Sequence, residues 1–293
     1  MVKGRVGIVL VNYNAEAFIV DCVNSLLDQT YKDIEIIIWD NNSQDDSVRI
    51  IKQNYPSIRL VENKQNDGFA KANNLAVKEL LKGDAEYILL LNVDTVSDRF
   101  LVENLLEKAD QNTVTTGQIS MDRQNRFIWY GGGELQFDKG KSIHINMQVK
   151  NEKKISFISG CCMMIHREII KKYGLFDSKY YLYYEDTDLC MRWYLQGVEM
   201  YYIPKAKLWH KVGGSLGGGT NPIGEYYRMR NRLLYAQKFK KYVKVNRTEL
   251  IVSVWKSLGT ELIKGEFDIL KAQLWGIVDY CLKRTGKLEH RIV

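Results

Sequence analysis

Three stretches of sequence, VGIVLVNYN (residues 6–14), IEIIIWDNNS (34–43) and YILLLNVDT (87–95), decide the fold. Each starts with a run of mostly apolar residues and then changes to Asn, Asp and other polar residues. Runs that are apolar on both faces are typical of parallel strands that helices cover on either side. We therefore predict three buried strands of one sheet.

Helical patterns accompany these runs, at residues 15–29, 45–53 and 69–81. Strands and helices that alternate at this spacing form right-handed βαβ crossovers. The sequence thus predicts an α/β fold, Rossmann-like, with a mostly parallel central sheet flanked by helices. In such sheets ligands bind in the crevice beyond the carboxyl ends of the strands.

Clusters of polar side chains stand at those carboxyl ends. A Tyr ring can stack on a nucleotide base, one Asp can accept a hydrogen bond from a pyrimidine imide, and another can ligate a cation that holds a diphosphate. Asn and Asp also end strands simply because they favour turns and helix N-caps. Three clusters on one edge favour the ligand site. Its candidate residues are Asn12, Tyr13, Asn14, Asp40, Asn42, Asn92 and Asp94.

The composition excludes several protein classes. The chain has 293 residues, of which 45% are hydrophobic and 26% charged, and this amino-acid composition is ordinary for a globular protein. The five cysteines lack a C-x-x-C spacing, which argues against a disulfide framework or a zinc ribbon. The sequence shows no secretory signal pattern and no apolar run near the ~18 residues that span a bilayer. We expect a soluble or peripheral protein in the cytoplasm.

Positive charge is concentrated in the last quarter of the chain. Residues 226–293 carry 15 basic and 6 acidic side chains, a net charge of +9, whereas residues 1–225 carry 27 and 29, a net charge of −2. Eight cations and no acid lie between positions 226 and 247. Such a block can contact anionic lipid, phosphate or nucleic acid, or form a solvated helix face. No nucleic-acid reading motif accompanies it, so we expect no nucleic-acid partner.

Two amphipathic helices are predicted beyond residue 246, which makes residues 226–293 a basic helical extension of a domain at 1–225. Such helices usually pack on the catalytic domain or on a partner subunit, and a homodimer is one such arrangement. The alternative is peripheral attachment to an anionic membrane surface. The apolar positions with helical spacing are Ile251, Val254, Trp255, Leu258 and Leu262, then Phe267, Leu270, Leu274, Ile277 and Cys281.

The segment YYEDTD at 183–188 precedes a helical pattern that ends at Gly197. Two adjacent acids, Glu185 and Asp186, beside several tyrosines indicate a cleft for a polar acceptor. Helix N-termini attract acids for structural reasons as well, and Asp188 is spaced to pair with Arg192 one turn later.

Glycines and one histidine mark the middle of the chain. The glycines at 131–133 lack the residues of a P-loop and predict a turn. Gly160, inside a strand-like run at 155–165, indicates a close approach, either to a sugar or to packed backbone. His210 ends a strand-like run at 200–209, and a lone His is often structural.

Taken in order, these motifs resemble glycosyltransferase family 2 with the GT-A fold, over about residues 5–235. The matching segments are VNYN (11–14), DNNS (40–43), N-x-GFA-x-ANN (66–74), LNVDT (91–95), GCCMMI (160–165), YYEDTDLCMR (183–192) and Trp209-His210. The LN-x-D and ED-x-DL variants are most similar to rhamnosyltransferases that build bacterial cell-surface polysaccharides.

The resemblance implies a role for each matching residue. It divides the domain into a nucleotide-binding half (1–95) and an acceptor half (96–225), with residues 213–219 as a mobile loop. Asp94 and His210 would bind a divalent metal, Mn²⁺ or Mg²⁺. Asp186 would be the catalytic base, with Glu185, Tyr184 and Gly160 on the acceptor side. Donor contacts would come from Asn12, Tyr13, Asn14, Asp40, Asn42, Asn66, Gly68, Phe69, Asn73, Asn92, Asp94, Arg230 and Asn231.

Position 92 departs from the family pattern. Asn92 stands where the full motif has Asp, so a metal at Asp94 would have one fewer carboxylate nearby. This departure bears on the number of metal ions bound rather than on activity. Asn92 can still bond a ribose hydroxyl.

The resemblance implies a metal-dependent inverting glycosyltransferase at the inner face of the cytoplasmic membrane. The first-choice donor is dTDP-L-rhamnose, with UDP-hexose or UDP-HexNAc as alternatives, and the acceptor is a lipid-linked oligosaccharide. A nucleotidyltransferase should carry a Gly-rich signature with Arg and Lys near the first strand, which VNYN lacks. A scaffold subunit of a polysaccharide-assembly complex is the non-enzyme alternative.

Overall fold

The computed structural model describes residues 4–211, 221–242 and 247–289. Within these ranges a ten-stranded sheet forms the centre and a two-stranded sheet lies apart from it. The strands are β1 (Val6–Asn12), β2 (Ile34–Asp40), β3 (Arg59–Glu62), β4 (Tyr87–Asn92), β5 (Thr95–Ser97), β6 (Thr113–Ser120), β7 (Ile128–Tyr130), β8 (Gly133–Gln136), β9 (Lys141–His144), β10 (Lys153–Ile155), β11 (Cys162–His166) and β12 (Glu199–His210).

The helices flank the central sheet and continue into a C-terminal group. They are α1 (Ile19–Leu27), α2 (Ser47–Asn54), α3 (Gly68–Leu80), α4 (Leu101–Leu106), α5 (Arg167–Tyr173), α6 (Glu185–Leu195), α7 (Pro222–Lys238), α8 (Arg247–Lys264) and α9 (Phe267–Cys281). None of these helices is long and apolar enough to cross a bilayer. α7 runs across position 225, where the sequence suggests a division of the chain.

The main sheet has the order β10-β12-β6-β11-β4-β1-β2-β3, with β5 beside β12 and β7 beside β6. β4, β1, β2 and β3 are parallel to one another, as predicted, and β12 is parallel to β6. β11 runs antiparallel to both β4 and β6. Because Asn12 is in register with Asp40, and Val11 with Asn92, the polar strand ends meet at one edge.

Two predicted elements differ in the structure. The helix expected over 15–29 is shorter, because residues before α1 form a turn in which Phe18 N donates to Ala15 O at 2.9 Å. The strand expected over 155–165 is split into β10 and β11, and the residues between them leave the sheet. That excursion carries Gly160 to the acidic start of α6.

Gly131 and Gly132 form the connection between β7 and β8, and Gly133 begins β8. Gly132 has a φ of +107°, a conformation that favours glycine. At Gly131 a Cβ atom would lie 2.2 Å from the carbonyl oxygen of Met147. The segment is therefore a tightly packed turn rather than a phosphate cradle.

Most of the large apolar side chains on α8 and α9 do not take part in the packing of these helices. α9 packs on α7 through small residues: Ala272 is buried, and a Cβ at Gly276 would lie 2.7 Å from the carbonyl oxygen of Tyr226. α8 contacts α9 through the buried Leu258 and a 3.2 Å hydrogen bond between Ser257 Oγ and Gln273 Oε1. Of the apolar positions with helical spacing, Leu258 packs within the chain, whereas Ile251, Trp255, Leu262, Phe267 and Leu274 are exposed in it.

Candidate functional site

The ends of β1 and β2 are tied together by buried polar side chains. Asn12 Nδ2 donates to Asp40 Oδ1 at 2.7 Å and to Ser47 Oγ at 2.8 Å. Asp40 Oδ2 accepts from the backbone N–H of Ser43 at 3.1 Å. These bonds fix Asp40 at the floor of the strand-end edge, with only 3% of its surface exposed.

The loops that follow β1 and β2 carry three further candidate residues, Tyr13, Asn14 and Asn42. Tyr13 is half-buried, whereas Asn14 and Asn42 are exposed. Both asparagines adopt left-handed φ values, 50° and 67°. Asn14 Oδ1 accepts from the backbone N–H of Gln44 at 2.7 Å, so the two strand-end loops are linked. This geometry leaves the Tyr13 ring at the edge where a planar base could stack.

The start of α3 joins this edge to the tyrosine-rich segment before α6. Asn66 Oδ1 accepts from Asn41 Nδ2 at 2.9 Å and from the Tyr181 hydroxyl at 3.0 Å. Phe69 N donates to Tyr181 O at 2.8 Å. Gly68 has a φ of +76°, and a Cβ there would lie 2.5 Å from Tyr181. The start of α3 is therefore held directly against Tyr181.

Asn73 lies farther along α3 and is buried. Its Nδ2 donates to Phe69 O at 2.9 Å, one turn earlier in the same helix. This amide supports the helix start that carries Phe69.

Asp94 and His210 are brought together although they are far apart in sequence. Thr95 is in register with His210 where β5 pairs with β12, and Asp94 precedes Thr95. Asp94 Oδ1 lies 3.1 Å from His210 Nε2, and both side chains are buried. No hydrogen bond satisfies Asp94 Oδ1 within the described part of the chain, and the same holds for His210 Nδ1.

The ligand atoms of this pair are of the types that bind divalent cations. A carboxylate oxygen and an imidazole nitrogen converge without forming a hydrogen bond, and both suit Mn²⁺. Within residues 4–211, 221–242 and 247–289 no cluster of three or more His, Cys, Asp or Glu side chains is present. A bound diphosphate and water can supply further oxygen ligands to a cation held here.

The acidic pair lies at the start of α6, as predicted from the sequence. Burial raises the pKa of the Glu185 carboxyl well above its ordinary value, and the neighbouring Asp186 charge raises it further. Glu185 Oε2 has no hydrogen-bond partner among the described residues. Burial also raises the pKa of Asp186.

Hydrogen bonds distinguish the two acids. Asp186 Oδ2 accepts from Gly160 N at 3.2 Å, and Oδ1 accepts from Thr187 N at 2.7 Å. Bonds to backbone N–H groups favour the ionised carboxylate and counteract the effect of burial. Asp186 is therefore the better placed of the two to stay ionised and accept a proton.

Segment 159–161 connects the acids to the end of β4. Gly160 N binds Asp186, and the carbonyl of the next residue, Cys161, accepts from Asn92 N at 3.0 Å. A Cβ at Gly160 would lie 3.1 Å from Phe69 Cε1 and 3.8 Å from Asp186 Cβ. The structure thus brings Gly160, Phe69, Asn92 and Asp186 into one neighbourhood.

Tyr184 belongs to a segment in an unusual conformation. Tyr181, Tyr183 and Tyr184 all have positive φ values, 53°, 63° and 72°. Asn231 Nδ2 lies 2.8 Å from each of three carbonyl oxygens beneath this segment, those of Tyr180, Leu182 and Tyr183. Backbone strain of this kind persists only where surrounding contacts fix it.

Arg230 and Asn231, expected at the donor phosphates, are both buried and bonded to protein. Arg230 Nη1 donates to Gly286 O at 2.8 Å, and Arg230 Nε to Asn231 Oδ1 at 3.0 Å. Their described contacts support the tyrosine segment and the C-terminal residues rather than the Asp94–His210 pair. Asp188, the structural alternative among the acids, pairs with Arg192 at 2.7 Å as predicted.

Sequence reasoning missed Trp129 and Tyr181. The Trp129 ring packs edge-to-face on His210 with centroids 4.9 Å apart, and Tyr181 bonds Asn66. The only signal for Trp129 was an aromatic residue before the glycine turn. The predicted loop at 213–219 lies outside the described residues.

The sequence is similar to those of known proteins. The model of glycosyl transferase family 2 matches residues 7–174. The chain is 22% identical over 291 residues to "dTDP-rhamnosyl transferase RfbF" of Shigella flexneri, covering 95% of this chain and 96% of that protein. It is 24% identical to the "N-acetylglucosaminyl-diphospho-decaprenol L-rhamnosyltransferase" of Mycobacterium tuberculosis, covering 72% of this chain and 77% of the relative.

A solved structure supports the same fold. A mannosyltransferase from Pyrobaculum calidifontis in complex with GDP-Man and Mn²⁺ superposes with a TM-score of 0.61 at 14% identity, covering 97% of this chain and 88% of the other. The mixed α/β architecture is therefore the GT-A fold. With more than half of its length matched by the family model, the chain belongs to glycosyl transferase family 2.

Proposed function

We propose that this family-2 enzyme is a metal-dependent inverting glycosyltransferase that extends a lipid-linked bacterial surface polysaccharide. The supporting observation is the chain of contacts from Asp186 through Gly160 and Cys161 to Asn92, beside the Asp94–His210 pair. It connects a proton acceptor with two candidate metal ligands across one short segment. Residues 1–225 would form the catalytic domain and residues 226–293 its extension.

Asp186 would act as the base. The acceptor hydroxyl gives its proton to an Asp186 carboxylate oxygen as the hydroxyl oxygen bonds to the anomeric carbon. The bond from that carbon to the diphosphate breaks on the opposite face, and its electron pair leaves with the diphosphate. General-base assistance of this kind contributes ~10²–10⁴ in rate. A bound Mn²⁺ or Mg²⁺ would neutralise charge on the departing diphosphate.

Glu185 would assist on the acceptor side. With its pKa raised by burial, Glu185 binds a proton more readily than an exposed glutamate does. A neutral carboxyl can donate a hydrogen bond to an acceptor hydroxyl as well as accept one. This division of roles gives one acid that takes the proton and one that orients the sugar.

The donor is proposed to be dTDP-L-rhamnose, since two of the relatives are described as rhamnosyltransferases. UDP-hexose and UDP-HexNAc are the alternatives. The description of the mycobacterial relative supports a lipid-linked acceptor. We therefore place the enzyme in the cytoplasm, at the inner face of the membrane.

A nucleotide panel tests the donor site. Thermal unfolding is measured with dTDP, UDP, GDP and their sugars, each with and without Mn²⁺. A ligand at a hundredfold excess over its Kd stabilises the native state by ~2.7 kcal/mol. We expect the largest shift with dTDP-L-rhamnose and Mn²⁺. If no nucleotide raises the melting temperature with metal present, the proposal fails.

A further inference from the structure

Exposed apolar side chains are concentrated on one face of α8. Ile251, Val252, Trp255, Leu262 and Ile263 are all exposed, Trp255 by 68% and Ile263 by 88%. At about 100° per residue these five positions fall within roughly 120° of the helix circumference. The buried Leu258 lies outside that arc and faces α9. Contiguous apolar patches of this kind mark interaction surfaces.

α9 continues this apolar surface. Phe267, Leu274, Val278 and Leu282, at the end of α9, are exposed. They lie opposite Gly276, which is packed against α7. We call the exposed apolar residues of the two helices the α8–α9 apolar surface. No described residue covers it.

Exposed lysines lie on α8 and α9 and in the sequence on either side of these helices. Within the described ranges these lysines are exposed and form no ion pair. Lys271 lies within the α9 stripe, and Lys256 borders the α8 stripe. A lysine side chain can keep its aliphatic stem in apolar surroundings while its ammonium group reaches a polar environment. The described residues of this region include only three exposed acids, so the exposed lysines leave a net positive charge. The acids are Glu266, Asp268 and Glu289. The lysines are Lys240, Lys241, Lys256, Lys271, Lys283 and Lys287.

Three of the eight cations expected to contact lipid from the sequence are engaged within the protein. Arg228 pairs with Glu225 at 2.6 Å, Lys238 pairs with Asp177 at 2.8 Å, and Arg230 is buried. Lys240 and Lys241 of the same block are exposed and form no ion pair among the described residues, so the candidates for lipid contact are these two lysines and those on α8 and α9.

We propose that the α8–α9 apolar surface inserts into the interfacial region of an anionic bilayer, with its lysines at the headgroups. Helices with Trp, Phe and Leu on one face and Lys beside them lie in this way in membrane interfaces. A second copy of the chain fits less well, because a two-fold interface joins the same patch of both copies and would bring two positively charged surfaces together. The surface is thus matched to anionic lipid in both hydrophobicity and charge.

The proposed membrane surface is linked to the acceptor side of the site. α9 packs on α7, and Asn231 of α7 bonds the segment that leads into Glu185. This inference rests on the proposed function in one respect: a lipid-linked acceptor explains why the enzyme would bind a bilayer. Membrane binding itself can be measured without donor, acceptor or metal.

The test is co-sedimentation of the full chain with vesicles. Vesicles of phosphatidylcholine with one third phosphatidylglycerol are compared with pure phosphatidylcholine vesicles. The variant Trp255→Ser/Leu262→Ser/Ile263→Ser removes the centre of the α8 stripe. The matched control, Leu27→Ser/Met121→Ser/Phe127→Ser, removes three apolar side chains of 51%, 53% and 62% exposure elsewhere on the surface.

We expect the wild type and the control to bind anionic vesicles, and the α8 variant to lose about tenfold or more in partition coefficient because it buries less apolar area. Equal binding by the α8 variant and the wild type would overturn the proposal. So would absence of vesicle binding together with a dimer, seen by analytical ultracentrifugation, that the α8 variant abolishes. Nucleotide-induced thermal shifts in the same preparations report separately on the proposed function.

Discussion

Replacing Asn231 with alanine is predicted to destabilise the tyrosine segment without removing nucleotide binding. The Asn231 amide is fully buried and lies within 2.8 Å of three backbone carbonyl oxygens. Its two hydrogens can satisfy two of these acceptors at a time. Each buried acceptor left without a partner costs ~1–3 kcal/mol, so the loss of two should lower the unfolding free energy by ~2–6 kcal/mol.

The assay pairs urea denaturation with nucleotide titration. Asn104→Ala is the control, since Asn104 Nδ2 makes a single 3.1 Å bond to Lys205 O at an exposed position, and it should cost less than ~0.5 kcal/mol. In Asn231→Ala we expect kcat to fall, because the segment before Glu185 loosens, while the Kd for dTDP with Mn²⁺ stays within about threefold. A variant of wild-type stability that binds dTDP more than tenfold less tightly would refute this reasoning and restore Asn231 to the donor phosphates.

Three further predictions concern the acceptor side. Asp186→Asn should lower kcat by ~10²–10⁴ in a sugar-transfer assay while the donor Kd is retained; unchanged transfer would remove Asp186 as the base. Because burial raises the pKa of Glu185 from 4.5, this carboxyl contributes stability at low pH that is lost as pH rises through the folded-state pKa. The stability of Glu185→Gln relative to the wild type should therefore increase as the pH rises above 4.5 in urea denaturation, and an equal pH dependence in both would contradict the burial argument. Gly160→Ala should cost ~1–3 kcal/mol by the same method, since its Cβ would meet Phe69 at 3.1 Å; a neutral substitution would mean that the ring moves freely.

Hydrophobic periodicity and turn chemistry predict the central sheet well. β1, β2 and β4 end at Asn12, Asp40 and Asn92, the first polar residue after each apolar run, because there the strand leaves the core. β3 was not delimited from the sequence. With the pattern RLVE and two exposed residues, this edge strand carries little hydrophobic signal.

Long-range placement could not be worked out from the residues alone. The pairing of β5 with β12, which brings His210 to Asp94, has no local signature. The family resemblance implied only that Asp94 and His210 lie close together, because it gave both the role of metal ligand. Trp129 was missed for the same reason, because its contact with His210 joins distant parts of the chain.

Amphipathic spacing at the C-terminus predicted two helices but not what their apolar faces contact. α9 packs through Gly276 and Ala272, because small residues allow its backbone to approach α7 closely. The larger Phe267 and Leu274 are left exposed. A periodic pattern therefore defines a stripe on a helix, whereas the partner of that stripe depends on the rest of the fold.

Binding of Mn²⁺ in the presence of dTDP tests the central claim most directly. Free Mn²⁺ is counted by electron paramagnetic resonance during titration of the wild type, His210→Ala and Asp94→Asn. We predict one Mn²⁺ per wild-type chain and at least about tenfold weaker binding in either variant, because each removes one of two converging ligands. Unchanged Mn²⁺ affinity in both variants would contradict a metal site at Asp94 and His210.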